Sequence, residues 1–229
     1  MKIRDALKIA AAETGAGRLL AIGSFAALIA VGGCGALPDK PARATLYDFG
    51  PGPLATTPAA APAATPALPT LALADFDASS RLDGTQMLYR LGYADANEVH
   101  PYGQSRWSQP PAQLLRQRVR DALAADRTVL GPEESAMIAR TQGRVPDTLR
   151  VSLEEFSHFF ESPDKSAGWV RVNATLIRSN TGGDRVLAQR SFAARRPAPS
   201  NDAPGGVKAL AAATDAVVAD LVTWVAQAR

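Results

Sequence analysis

The sequence predicts an α+β fold: a mainly antiparallel sheet with two helices packed on one face, preceded by a targeting segment and a Pro/Ala/Thr-rich linker. Three observations carry this expectation. Apolar residues alternate along three runs in the second half of the chain, which is the period of half-buried strands. Two of those runs flank a Gly-Gly loop, as in a hairpin. Two further stretches repeat their apolar residues at helical spacing.

Residues 1–33 read as an export signal. Lys2, Arg4, Lys8 and Arg18 precede an apolar run from Leu19 to Val31. That run has the length of a signal core and is short for a membrane span. Val31-Gly32-Gly33 then leads into Cys34, the only cysteine of the chain. Small residues before a lone Cys match a bacterial lipobox. Cys34 is therefore the candidate lipidation site: a thioether-linked diacylglycerol on its sulfur and an acyl chain, such as palmitate, on its amine. Several acyl chains hold a protein on a membrane far more firmly than one. Gly35 follows, and by analogy with enteric sorting a residue other than Asp there favours the outer membrane.

Residues 34–69 are expected to be a linker. Eight of the 17 prolines lie between Pro38 and Pro69, and residues 55–67 are only Ala, Thr and Pro. Proline breaks helices, and such a stretch has no large apolar face to bury. This linker is expected to set the distance between membrane and domain.

The folded domain is assigned to residues 70–229. Strands are expected at Thr70–Phe76 and Gln86–Tyr93, with Asp83-Gly84 as a turn between them. Another extended piece runs from Val99 to Trp107. Pro110-Pro111 begins a helix reaching Asp126, with Leu115, Val119, Ala122 and Leu123 on one face. Thr128–Leu130 is a short strand. Leu149, Val151 and Leu153 alternate, then Phe156, His158 and Phe160 take up the opposite phase. A slip of one residue at Glu154-Glu155 is what a β-bulge produces. Trp169–Arg178 and Arg185–Ala193 form a hairpin around Thr181-Gly182-Gly183-Asp184. The final helix carries Val207, Leu210, Thr214, Val217, Val218, Leu221 and Val225 on its buried side.

Composition narrows the function classes. The 229 residues are 46% apolar and 21% charged, ordinary for a globular chain. One Cys and two His argue against a disulfide scaffold or a His-rich metal site. The net charge is +3, but residues 1–33 hold four basic and two acidic side chains, so the remainder is near neutral at +1. That removes the electrostatic case for nucleic acid.

No catalytic constellation survives weighing, and no metal or cofactor site is assigned. His100 and His158 belong to no HExxH or similar pattern and read as packing positions. No GxSxG elbow occurs. Glu154-Glu155 reads as a bulge or a solvated edge, Gly182-Gly183 as a turn, and Arg116, Arg118 and Arg120 as a solvated helix face. Arg195-Arg196 is too short for a nucleic-acid patch. Tyr89, Tyr93, Tyr102, Trp107, Trp169 and Trp224 stand at strand and helix spacing and read as core. The last helix carries Asp215 and Asp220 and no cation between Lys208 and Arg229, unlike an interfacial membrane helix.

Four blocks, in order, resemble the ABC-type transport auxiliary lipoproteins, the PqiC/YmbA-like group. They are Leu46-Tyr47-Asp48-Phe49-Gly50; Met87-Leu88-Tyr89-Arg90-Leu91 with Tyr102 to Trp107; Leu149–Phe156; and Val186-Leu187-Ala188 through Phe192 with the helix ending in Trp224-Val225. The long Ala/Thr/Pro run departs from that pattern and leaves the spacing between membrane and domain open. The resemblance implies a non-enzymatic accessory role in envelope lipid transport. Its implied partners are an MCE-domain protein and an ABC permease and ATPase, met at the periplasmic face of the outer membrane. Self-association is left open. Two other classes remain: a generic envelope-assembly scaffold and an exported enzyme.

Overall fold

In a computed structural model, residues 43–51, 68–142, 145–180 and 182–228 are described. The signal, Cys34 and residues 52–67 lie outside them. The elements in order are β1 (Thr45–Tyr47), β2 (Leu71–Leu73), β3 (Asp77–Ala78), a 3-10 turn (Ser80–Leu82), β4 (Gln86–Leu91), β5 (Asp95–Trp107) and α1 (Pro111–Leu123). There follow β6 (Val129–Leu130), α2 (Pro132–Gln142), β7 (Asp147–Ser162), β8 (Lys165–Asn180), β9 (Gly183–Pro197) and α3 (Ala203–Gln227).

One sheet organises them. Its long ladders are antiparallel: β7 with β8, β8 with β9, and β4 with β5. On the other side of β7 the short strands dock parallel, β2 and β3 along its first half and β4 along its second. β1 adds parallel to β5, and β6 adds parallel to β2. The path β1-β5-β4-β7-β8-β9 therefore has β1 and β9 as opposite edges.

The bulge expected in β7 is present. Leu153 faces Val172 and Phe156 faces Val170, with the register shift between them. The extra residue keeps Leu149, Val151 and Leu153 on the same core face as Phe156, His158 and Phe160. β8 and β9 meet at the expected loop, where Gly183 takes φ +115°, a backbone conformation that glycine adopts without strain.

Helices α1 and α3 share one face of the sheet as expected. α3 packs on β7, β8 and β9 and against α1. Asp202 caps it, accepting from the Gly205 N–H at 2.8 Å. Its approach to β8 is backbone to backbone: a Cβ on Gly168 would lie 2.4 Å from the Ala209 carbonyl carbon. The core between the layers includes Met87, Trp107, Leu115, Val119, Leu149, Leu153, Phe156, Val170, Val172, Leu210, Val217 and Leu221.

Three expectations need correction. A third helix, α2, sits beside β2 and β6. Its apolar stripe is weak, with Met137 64% exposed. The first expected strand is split: Leu71–Leu73 and Asp77–Ala78 pair with different parts of β7. Most consequentially, the proposed linker 34–69 contains part of the domain. β1 is hydrogen-bonded in the sheet, and Phe49 packs edge-on to Trp107 at 5.7 Å and against Phe156 at 5.9 Å. The compact unit begins at Arg43. The Ala/Thr/Pro run of 55–67, itself outside the described residues, therefore connects two strands of one sheet. It does not set the distance from Cys34 to the domain.

Candidate functional site

Cys34, the candidate lipidation site, lies outside the described residues. The described residues nearest to it in the chain build the sheet edge at β1. Leu46 is 66% exposed there. A cleft of about 440 Å³ opens between this edge and α3, lined by Leu46 to Gly50, Ser108, Val207, Lys208 and Ala211. Its floor is held from below. The Arg118 guanidinium donates to the Phe49 carbonyl at 2.7 Å, lies 5.9 Å from the Phe49 ring centroid and pairs with Asp215 at 3.3 Å. The Leu-Tyr-Asp-Phe-Gly block thus plugs the core and closes the β5 edge.

The three arginines of α1 do not form one solvated face. Arg118 is largely buried in the contacts just given. Arg116 pairs with Asp75 at 3.6 Å and donates to the Ala74 carbonyl, and Arg120 reaches Glu134 at 3.9 Å. Each pins a different segment to the helix.

Glu155 is the polar residue that sequence reasoning misjudged. The bulge turns it to the face opposite the helices, yet it is buried. Its Oε2 accepts from Arg90 at 3.0 Å and Arg81 at 3.2 Å, and Oε1 accepts from the Arg90 Nε at 3.4 Å. Arg90 also donates to the carbonyls of Ala96 and Asn97 at 3.0 and 3.3 Å. One buried ion pair thereby ties the β4–β5 hairpin to the bulge of β7.

His158 is fully buried, with Nδ1 2.9 Å from the Tyr102 hydroxyl and Nε2 without a partner among the described residues. Burial pulls its pKa down to about 4, and burial likewise raises that of Tyr102. Both groups are therefore neutral at pH 7. Gly206 of α3 leaves the space this imidazole fills, since a Cβ there would lie 2.5 Å from Nδ1. His100 stacks on Tyr89 at 5.1 Å. Tyr89, Tyr102, His158 and Phe160 form one ring cluster, a packing role.

Trp107 is buried, and Trp224 packs edge-on to Phe192 at 5.6 Å. Trp169 is half-buried on the face without helices. There it meets Phe159 at 5.5 Å and carries the Arg195 guanidinium 4.2 Å from its ring centroid. Tyr93 is exposed. Among the described residues no group of three His, Cys, Asp or Glu could hold a metal ion. One described helix, α3, is long and apolar enough to cross a bilayer, but it buries its apolar side on the sheet.

Comparison with known proteins adds what the geometry alone does not state. The family model for the ABC-type transport auxiliary lipoprotein component matches residues 53–222. Protein XCC0632 from Xanthomonas campestris superposes with a TM-score of 0.58 at 23% identity, covering 72% of this chain and 88% of that one. An uncharacterised protein superposes at 0.55 with 16% identity, covering 80% and 99%. These likenesses speak to the fold. No curated protein matches the sequence.

Proposed function

Because this chain belongs to the ABC-type transport auxiliary lipoprotein family, we propose that it is the membrane-anchored, non-catalytic component of an MCE-type ABC lipid transport system. In this reading it docks the transporter at the periplasmic face of the outer membrane and supports envelope lipid trafficking. The family match over residues 53–222 carries the reading. The disposition of the polar groups supports a binding role over a catalytic one. The buried imidazole, carboxylate and guanidinium are engaged in internal contacts rather than converging on an open cleft.

Cys34 is the lipid attachment point in this proposal. The test is purification of the native complex through this chain from detergent-solubilised envelopes. Recovery of an ATPase, a permease and an MCE-domain protein is expected. Recovery of lipopolysaccharide-assembly or peptidoglycan-linked proteins instead would replace the reading with the scaffold alternative. Cys34→Ala should release the exported protein from membranes, and the parent N-terminal peptide should carry acyl mass. Sedimentation of the parent with inner-membrane fractions would count against outer-membrane placement.

A further inference from the structure

We propose that the β1 edge of the sheet, with the cleft beside it, rests against the lipid surface to which the chain is anchored. The opposite edge, β9, then faces away from that surface. This orientation rests on Cys34 as the anchor.

Covalent geometry gives the first argument. Ten residues, 35–44, separate Cys34 from β1. Fully extended, they reach at most about 35 Å. Had residues 55–67 been part of the tether, the reach would be several times larger. β1 and β9 lie five strand spacings apart along the sheet, roughly 24 Å at about 4.8 Å each. Carrying β9 to the bilayer would consume most of the available chain, whereas the β1 edge arrives with slack.

The surface chemistry gives the second. Leu46, 66% exposed, projects beside an open cleft whose apolar wall is Tyr47, Phe49, Val207 and Ala211. Lys208 lines the same cleft, and Arg43 is exposed two residues before β1. Neither cation has an ion pair among the described residues. The one acid of the cleft, Asp48, accepts from the Gly50 N–H at 2.7 Å and stays on its own turn. An apolar side chain flanked by cations with no ion pair among the described residues suits an interface of acyl chains and anionic headgroups; β9 also exposes Val186 beside Arg185, so it is the short tether that favours the β1 edge.

The lone cysteine makes the test direct, because lipidation consumes its thiol. Leu46→Cys and Val186→Cys place single nitroxide labels on the two edges, both at exposed positions. The acylated full chain is reconstituted into vesicles of three parts phosphatidylethanolamine to one part phosphatidylglycerol. The ratio of oxygen to nickel-chelate collision rates should rise several-fold at residue 46 and stay at its solution value at residue 186. Lys208→Glu should reduce the rise at 46. An unchanged ratio at 46 in protein that carries its acyl mass, or a rise at 186 instead, overturns the orientation while leaving the anchor intact. Absence of acyl mass at Cys34 overturns the anchor itself. Protection at 46 that needs the partner complex makes this edge a protein interface and overturns the membrane assignment.

Discussion

Removing the Glu155 carboxylate should be among the most damaging single changes on the helix-free face. Glu155→Ala strands the Arg90 guanidinium, whose side chain is 9% exposed. Breaking a buried pair from one side costs about 3–5 kcal/mol. Arg90 keeps the Ala96 and Asn97 carbonyls as acceptors, so the lower end, about 3 kcal/mol, is expected. In a domain of this size that corresponds to a fall in Tm of roughly 6–12 °C. Equilibrium urea unfolding with an unchanged m-value would measure it. The decisive comparison is the double variant Arg90→Met/Glu155→Leu. With both charges gone no ion is left unpaired, so the double variant should be more stable than Glu155→Ala. If Glu155→Ala unfolds at the parental midpoint, or the double variant loses the sum of the two single losses, the pair does not hold the hairpin as argued.

Other consequences can be measured on the same protein. His158 is neutral when folded with a pKa near 4 and would titrate near 6.5 when unfolded, so its contribution is lost as pH falls from 6.5 to 4, by about 3 kcal/mol in all. His158→Asn should flatten that part of the stability–pH profile, and an unchanged slope would refute the assignment. Gly168→Ala drives a methyl into the α3 backbone and should cost about 1–3 kcal/mol or more; wild-type urea midpoints would show that the helix can shift freely. Trp107→Ala should cost about 3–5 kcal/mol. Trp169→Ala, half-buried beneath Arg195, should cost clearly less by thermal melting, and equal losses would contradict the placement of the two rings.

What could be read from the sequence follows from how local the determining interaction is. The β7 bulge was legible because Leu153 and Phe156 break a two-residue period, and the β8–β9 hairpin because Gly182-Gly183 sits between two alternating runs. α2 was missed because its few apolar residues, Ala136 to Ala139, are consecutive and set no helical period. Its signal was at the start instead: Gly131 donates to Glu134 at 2.7 Å, a capping arrangement spelled by Gly-Pro-Glu-Glu. The burial of Glu155 depended on Arg81 and Arg90, 74 and 65 residues away, and no local pattern encodes that. β1 was hidden by composition. Three residues are too few for a period, and the prolines around them read as linker. The Leu-Tyr-Asp-Phe-Gly block was visible as part of a resemblance, but its role as a plug under Trp107 required the long-range contact.

The pairing of β1 with β5 also imposes an order of assembly. Leu46 lies opposite Arg106, about sixty residues later, and closing so large a loop is slower than zipping neighbouring strands. The β7–β8–β9 hairpins and α3, all nearest neighbours in sequence, have no such wait and can nucleate among themselves. β1 is then a late strand, as are β2, β3 and β4, whose parallel pairings with β7 span about 70 residues or more, and the flank of β5 stays open until β1 closes. For that interval the flank of β5 is an exposed strand edge, and the closing of this small domain is timed in part by the three residues of β1.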